Sequence, residues 1–130
     1  MPGKLFLLDT NIIIALFAGD ARVEKKIADA PGVFIPLIAI GELYYGAELS
    51  TQREQNIEKL NEFSRACQLL DCTLDTAKQY ALLKSKLKRK GTPIPENDIW
   101  IAAIAAQYKL TLVSRDKHFK YIKKIKVVTW

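Results

Sequence analysis

Four acidic residues stand where apolar segments of this chain begin, end or turn: Asp9 in LFLLDTN, Glu42 in IAIGELYYGA, Asp98 in PENDIWIAAIAA and Asp116 in LTLVSRDKHF. Carboxylates are driven out of such surroundings unless something pairs with them. Singly, each has a structural role open to it. Asp9 and Asp98 can cap helices, Asp116 can sit in a turn, and Glu42 can pair with a lysine on a helix surface. Together they suit different chemistry. Two like charges about 4 Å apart repel by roughly 4 kcal/mol at an effective dielectric near 20. Carboxylates that share a pocket therefore need a cation or must take up protons. Such oxygen donors suit Mg²⁺ or Mn²⁺, and the remaining acids can hold the ion's waters or a second ion, as in two-metal phosphodiester hydrolysis.

Nitrogen and sulfur offer less. The chain has one histidine, His118, and two cysteines, Cys67 and Cys72, whose spacing does not match a zinc site. Any metal is therefore expected to be held by oxygen, and the cysteines to be buried free thiols. His118 invites an acid–base role, but its place beside Phe119 is read as packing or capping. The net charge is +6 with a pI near 9.3. The basic residues cluster at Lys84, Lys86, Lys88, Arg89 and Lys90 and again at Lys117, Lys120, Lys123, Lys124 and Lys126. A solvated lysine-rich surface would look the same, but the excess also suits a polyanion whose backbone these residues could contact. A phosphate drawn to such a surface would still need a cation before it could approach the acids.

The elements that must position these residues can be read from the apolar pattern. Leu5–Leu8 is a fully buried strand, and Asp9-Thr10-Asn11 is its exit and the cap of a helix through Phe17. A short helix covers Arg22–Asp29, Val33–Ile35 is a second strand, and Pro36 opens a helix to about Leu49. On that helix Ile40, Leu43, Tyr44 and Ala47 face the core, and Glu42 lies off their stripe. Thr51 is expected to cap a helix through Ala66, with Ile57, Leu60 and Phe63 as its apolar side. Gln68–Cys72 is read as a third strand. Leu74 to about Lys90 is a helix with Leu74, Ala77, Ala81, Leu83 and Leu87 inward. A helix that is apolar all round, and hence buried, starts at Asn97 or Asp98. Leu110–Val113 is a strand, Lys117–Tyr121 a helical turn and Lys126–Thr129 the last strand.

Strands alternating with helices predict one α/β domain over residues 1–130, with a parallel sheet covered on both faces. Ligands of such sheets bind beyond the carboxyl ends of the strands. Asp9, Asp98 and Asp116 can all reach that edge; Glu42 needs a helical turn of reach to join them. The longest apolar run, IWIAAIAA, is far short of the roughly 20 residues that span a bilayer. The stretch MPGKLFLLDTN does not read as a secretory signal. A soluble, cytoplasmic protein with no membrane contact is expected.

Four segments occur in order over nearly the full length: Leu8-Asp9-Thr10-Asn11, Gly41 to Ala47, Asn97 to Ala103 and Ser114 to Phe119. In these the chain resembles the PIN-domain nucleases, and among them the VapC-type toxins of bacterial and archaeal toxin–antitoxin pairs. The resemblance implies a three-layer α/β/α sandwich around a mainly parallel sheet of about five strands. It implies a Mg²⁺- or Mn²⁺-dependent endoribonuclease acting on RNA, with tRNA or ribosomal RNA as possible targets. Asp9, Glu42, Asp98 and Asp116 would form the catalytic, metal-binding site, with Thr10, Asn11 and Ser114 as polar supports. A homodimer silenced by a cognate VapB-type antitoxin is the implied assembly. Tyr44, Tyr45 and Trp100 are candidates for core, dimer or antitoxin contacts, with packing favoured for Trp100.

A haloacid-dehalogenase-like phosphatase also places an Asp after its first strand, but it needs a second Asp two residues on, where this chain has Asn11. A PIN-like RNA-binding or scaffold module without cleavage would have no need to keep all four acids; a toxin that serves mainly as partner to a DNA-binding antitoxin, with slow nuclease activity, is a third possibility.

Overall fold

The computed structural model describes residues 4–130, so the first three residues of the expected domain lie outside it. Five strands form one sheet: β1 (Leu5–Leu8), β2 (Gly32–Pro36), β3 (Leu69–Leu70), β4 (Thr111–Val113) and β5 (Val127–Val128). Every pairing is parallel and the order is β3-β2-β1-β4-β5. The helices are α1 (Thr10–Phe17), α2 (Ala21–Asp29), α3 (Leu37–Glu48), α4 (Arg53–Ala66), α5 (Leu74–Lys90) and α6 (Glu96–Tyr108), with a 3-10 turn at Lys117–Tyr121.

A strand buried on both faces reads as a continuous apolar run, because alternate side chains enter different cores. β1 shows this in its second half only: Leu7 and Leu8 are buried, whereas Leu5 at the strand's start is exposed and Phe6 half-buried, so the strand is not fully buried as expected. Leu7 packs with Leu83 and Leu87 of α5, Ile101 and Ile104 of α6, and Leu112. Leu8 packs on the other side with Ile12 and Ile13 of α1, Ile40 of α3, Leu60 of α4, and Val113. The sheet is thus the middle layer of a three-layer α/β/α sandwich, as expected. No helix among the described residues is long and apolar enough to cross a membrane.

The strand order creates the place for a site. From β1 the chain adds β2 and β3 on one side, and β4 and β5 join on the other. The connections after β1 and β4 therefore diverge to opposite faces, which opens a crevice at their carboxyl ends. Leu8 is in register with Val113, so the residues that follow each of them, Asp9 and Ser114, emerge side by side.

Several local expectations are corrected. α4 starts at Arg53, with Gln52 rather than Thr51 as its cap residue. Its entry is tied instead by the Ser50 hydroxyl, which accepts from the Gln52 amide at 3.0 Å and from Asn56 Nδ2 at 2.9 Å. On α5, Leu74 and Ala81 are exposed and the buried stripe is Thr76, Leu83 and Leu87. The start of that helix decides its rotation. Thr73 and Thr76 cap each other reciprocally, Thr76 donates to Gln107 of α6, and Gln107 Nε2 donates back to Thr73 Oγ1 at 2.8 Å. These bonds turn Thr76 inward and leave Leu74 outside. β3 and β5 are two residues each, shorter than expected. The cysteines are free, but Cys67 is half-buried and Cys72 is exposed, because the short β3 ends before Cys72 can enter the sheet.

Candidate active site

Asp9 is the N-cap of α1, with extended backbone (φ −74°, ψ 160°) and a side chain that accepts from the Thr10 amide at 2.8 Å. Its own amide donates to the Val113 carbonyl at 2.9 Å, which fixes it to the end of β4. Ser114 leaves β4 in the same way, its amide donating to Val128 at 3.0 Å. The Ser114 hydroxyl then donates to Asp9 Oδ2 at 2.7 Å and accepts the Asp116 amide at 3.0 Å. One buried hydroxyl therefore sets two of the predicted acids relative to each other.

Asn11 completes this support. Its Nδ2 donates to Asp9 Oδ2 at 3.3 Å and lies 3.4 Å from Ser114 Oγ, while its Oδ1 accepts the Arg115 amide at 3.1 Å. An amide can donate and accept at once, whereas an ionised carboxylate only accepts. Asn11 is therefore a brace between two loops, which agrees with setting the phosphatase reading aside. Thr10 performs the third supporting role: its hydroxyl donates to Glu42 Oε1 at 2.8 Å, so a residue in the second turn of α3 is held against the start of α1.

Asp98 lies in the first turn of α6, which begins at Glu96 with Pro95 as cap residue. Asp116 precedes the 3-10 turn and is exposed. Glu42, Glu96, Asn97, Asp98, Asp116 and His118 line an open cleft of about 570 Å³, and Asp9 is buried beside it at 3% exposure.

The electrostatics record the crowding. Burial is the main reason the Asp9 carboxyl is pushed up to about 6, and repulsion from Asp98 and Asp116 adds to it. The Ser114 hydroxyl and the Thr10 amide oppose that rise by bonding the charged form. Burial also holds Asp98 above the usual carboxylate range, against the pull of His118 and with a further push from Asp116. A divalent cation fits this donor set: its oxygens are hard, they are partly withdrawn from water, and their mutual repulsion is what a cation would relieve.

Sequence reasoning missed the place of His118. Its ring does lie against Phe119, 5.1 Å between centroids, as packing predicts. But Nε2 sits 2.5 Å from Asp98 Oδ2 and 3.9 Å from Asp116 Oδ2. The donor atoms of Asp98, Asp116 and His118 lie within 4.8 Å of one another, so one ring nitrogen stands among the oxygens of the acidic site. No local signal marks this contact, since residues two apart on a helical turn do not share a face and Asp98 is 20 residues away. Glu96 was also missed; it binds Lys84 at 3.1 Å through both oxygens and also meets the Tyr80 hydroxyl.

The basic clusters divide. Lys84 is thus committed to Glu96, and Lys88 and Arg89 are exposed on α5. Lys86 and Lys90 meet Lys123 and Lys124 around a cleft of about 300 Å³. Lys117, Lys120 and Lys123 line a second cleft of about 460 Å³ that shares Ser114 and Asp116 with the acidic site. Trp100 stacks on Tyr80, centroids 3.9 Å apart and planes within 7°, which bears out packing. Tyr44 donates to Asn61 at 2.5 Å, and Tyr45 is exposed.

Comparison with known proteins places this arrangement. The model of the PIN domain matches residues 6–125. The chain belongs to the PIN domain family. It is 32% identical over 128 residues to Ribonuclease VapC2 of Haemophilus influenzae, covering 96% of this chain and 97% of that one. It is 30% identical over 128 residues to the tRNA(fMet)-specific endonuclease VapC of Salmonella typhimurium, with coverage of 96% and 97%. Among solved structures, this PIN domain is similar to a chain of VapBC2 from Rickettsia felis bound to a DNA fragment from its promoter. The TM-score is 0.89 at 28% identity, with 98% of this chain and 99% of the other covered.

Proposed function

We propose that this PIN domain is the endoribonuclease toxin of a type II toxin–antitoxin pair and cleaves RNA with the help of Mg²⁺ or Mn²⁺. The observation that carries the reading is the convergence of Asp9, Asp98 and Asp116 at the crevice between β1 and β4, with Asp9 pushed up to about 6. The full-length similarity to VapC ribonucleases supports it.

Asp9, Asp98 and Asp116 are the residues that would hold the ion. The ion would supply charge neutralisation at the attacked phosphate and a more acidic water. The chain's own groups do the rest. Ser114 favours the ionised form of the Asp9 carboxyl and, with Asn11, orients it. Thr10 aims Glu42 into the cleft, where its free oxygen can orient the attacking water and take its proton. Hydrolysis by water leaves a 5′-phosphate and a 3′-hydroxyl, unlike cleavage through the ribose 2′-hydroxyl.

Lys117 and Lys120 line the cleft next to the acidic one and are the nearest candidates for RNA-backbone contacts, with Lys86 and Lys90 at the adjoining cleft and Lys88 and Arg89 exposed elsewhere on α5. Transfer RNA is the first substrate to test, given the specificity named for the Salmonella relative. A VapB-type antitoxin is the partner, as in the VapBC complexes this fold resembles, and a cytoplasmic homodimer is the assembly. The decisive assay compares cleavage of total RNA and tRNA with Mg²⁺, with Mn²⁺, with EDTA, and with Asp9→Asn. Activity is expected only for the unsubstituted chain with a divalent ion; full cleavage in EDTA would overturn the reading.

A further inference from the structure

We propose that His118 is a nitrogen ligand of the site's divalent cation and that it tilts the site towards Mn²⁺ over Mg²⁺. This rests on the reading of the acidic cleft as a cation site and adds a donor to it.

The position of the ring carries the inference. Nε2, the atom furthest from the backbone, is 2.5 Å from Asp98 Oδ2 and 3.9 Å from Asp116 Oδ2. Donors about 2.1 Å from an octahedral ion lie about 3 Å apart when adjacent and about 4.2 Å when opposite. The 3.9 Å separation falls near the opposite spacing, the 2.5 Å hydrogen-bond contact is shorter than the adjacent one and would open to admit an ion, and all three donors lie within 4.8 Å of one another. The ring is held there from behind. Phe119, fully buried in the α5/α6 core, anchors the 3-10 turn that carries His118. The side chain keeps 27% exposure, so it faces the cleft rather than the core.

The surroundings favour a ligand over a counter-charge. No lysine or arginine lines the acidic cleft among the described residues, and His118 is its one nitrogen-bearing aromatic ring. The nearby cations are directed elsewhere: Lys84 to Glu96, Arg115 to Asp20 at 2.8 Å, and Lys117 and Lys120 to the neighbouring cleft. Carboxylates alone suit Mg²⁺ and Mn²⁺ alike. An imidazole nitrogen adds affinity for the transition ion, because Mg²⁺ prefers oxygen and retains its water.

His118 is the single histidine of the sequence, which makes the test specific. The full chain, prepared without a histidine tag, is loaded with Mn²⁺ and studied by pulsed electron paramagnetic resonance with natural-abundance and ¹⁵N-labelled histidine. Nitrogen modulation that changes on ¹⁵N labelling is expected, and it should vanish in His118→Gln. In competition titrations His118→Gln should lose at least about tenfold of the preference for Mn²⁺ over Mg²⁺. Mn²⁺ bound with no histidine coupling would overturn the proposal and leave the cation site standing. No Mn²⁺ binding, with Asp98→Asn indistinguishable from the unsubstituted chain, would overturn both. The labelling result does not depend on whether the variant folds.

Discussion

The Thr10 hydroxyl donates to Glu42 Oε1 at 2.8 Å, joining the first residue of α1 to the second turn of α3. This contact brings to the cleft the one acid that strand topology alone does not deliver there. Asp9, Ser114 and Asp116 come from strand exits and Asp98 from a helix start, but Glu42 comes from a helix side. Thr10→Val keeps the shape and removes the donor. Because Glu42 is only partly buried, water can replace the lost bond, and stability should change by no more than about 1 kcal/mol. Cleavage should fall about tenfold or more while melting temperature is nearly unchanged, and Thr10→Ser should restore most of it. A Thr10→Val protein as active as the parent would show that Glu42 needs no anchor.

Asp9 should make the metal-free protein less stable as pH rises. Its carboxyl is at about 6 in the fold against 3.8 in the unfolded chain. Between those values the folded state binds more protons, so unfolding free energy falls with pH across that window and stays low above it. The shift corresponds to a loss of at most about 3 kcal/mol. Urea titrations in EDTA at pH 4.5 and 7.5 should show about 2 kcal/mol of this loss, and Asp9→Asn should flatten it. Adding Mg²⁺ or Mn²⁺ at pH 7.5 should recover stability in the parent only. An Asp9→Asn protein with the same pH slope as the parent would assign the slope to another group.

Much of this was legible in the chain, for reasons that differ by residue. Leu7, Leu8 and the apolar α6 announce burial because nothing polar interrupts them, and they fix a parallel sheet with covered faces; the exposure of Leu5 at the strand's start was not legible. Asp9 and Asp116 were legible because strand exits in such a sheet share one edge. Asn11 was legible as a departure from a phosphatase and, through the family resemblance, as a polar support, but its bracing of two loops depends on how the start of α1 meets the segment after β4. The rotation of α5 was not legible: Thr76 looks polar until Gln107, 31 residues on, accepts its bond. His118 packs on Phe119 as expected, but its second contact was not legible. The approach of its Nε2 to Asp98 across a separation of 20 residues depends on how α6 and the 3-10 turn meet, and no local pattern records that.

Ser114 should act on catalysis through Asp9. Its hydroxyl bonds the charged form of Asp9 at 2.7 Å and thereby opposes the effect of burial. Ser114→Ala removes that bond, so the Asp9 carboxyl should rise further and ionise only at higher pH. The acid limb of the pH–rate profile should move up by about one unit, with the activity loss larger at pH 6.5 than at pH 8.5. A Ser114→Ala protein whose loss is the same at both pH values would mean that the hydroxyl acts through the Asp116 amide it also accepts, rather than through Asp9.

The lysines should separate by their partners, not by their density in the sequence. Lys117, Lys120 and Lys123 face a cleft continuous with Ser114 and Asp116, whereas Lys84 is bonded to both oxygens of Glu96. A phosphate can use a lysine that has no carboxylate partner, and each such contact adds to the salt dependence of binding. Replacing Lys117, Lys120 and Lys123 together with Gln should weaken RNA binding by Asp9→Asn protein, used so that the substrate survives. The slope of log affinity against log salt should shrink by about 2, since each contact to a single strand contributes about 0.7. Lys84→Gln should leave the slope nearly unchanged. Binding measured by fluorescence anisotropy from 50 to 300 mM salt would decide between them. A steeper loss for Lys84→Gln than for the triple variant would place the RNA along α5 instead of beside the 3-10 turn.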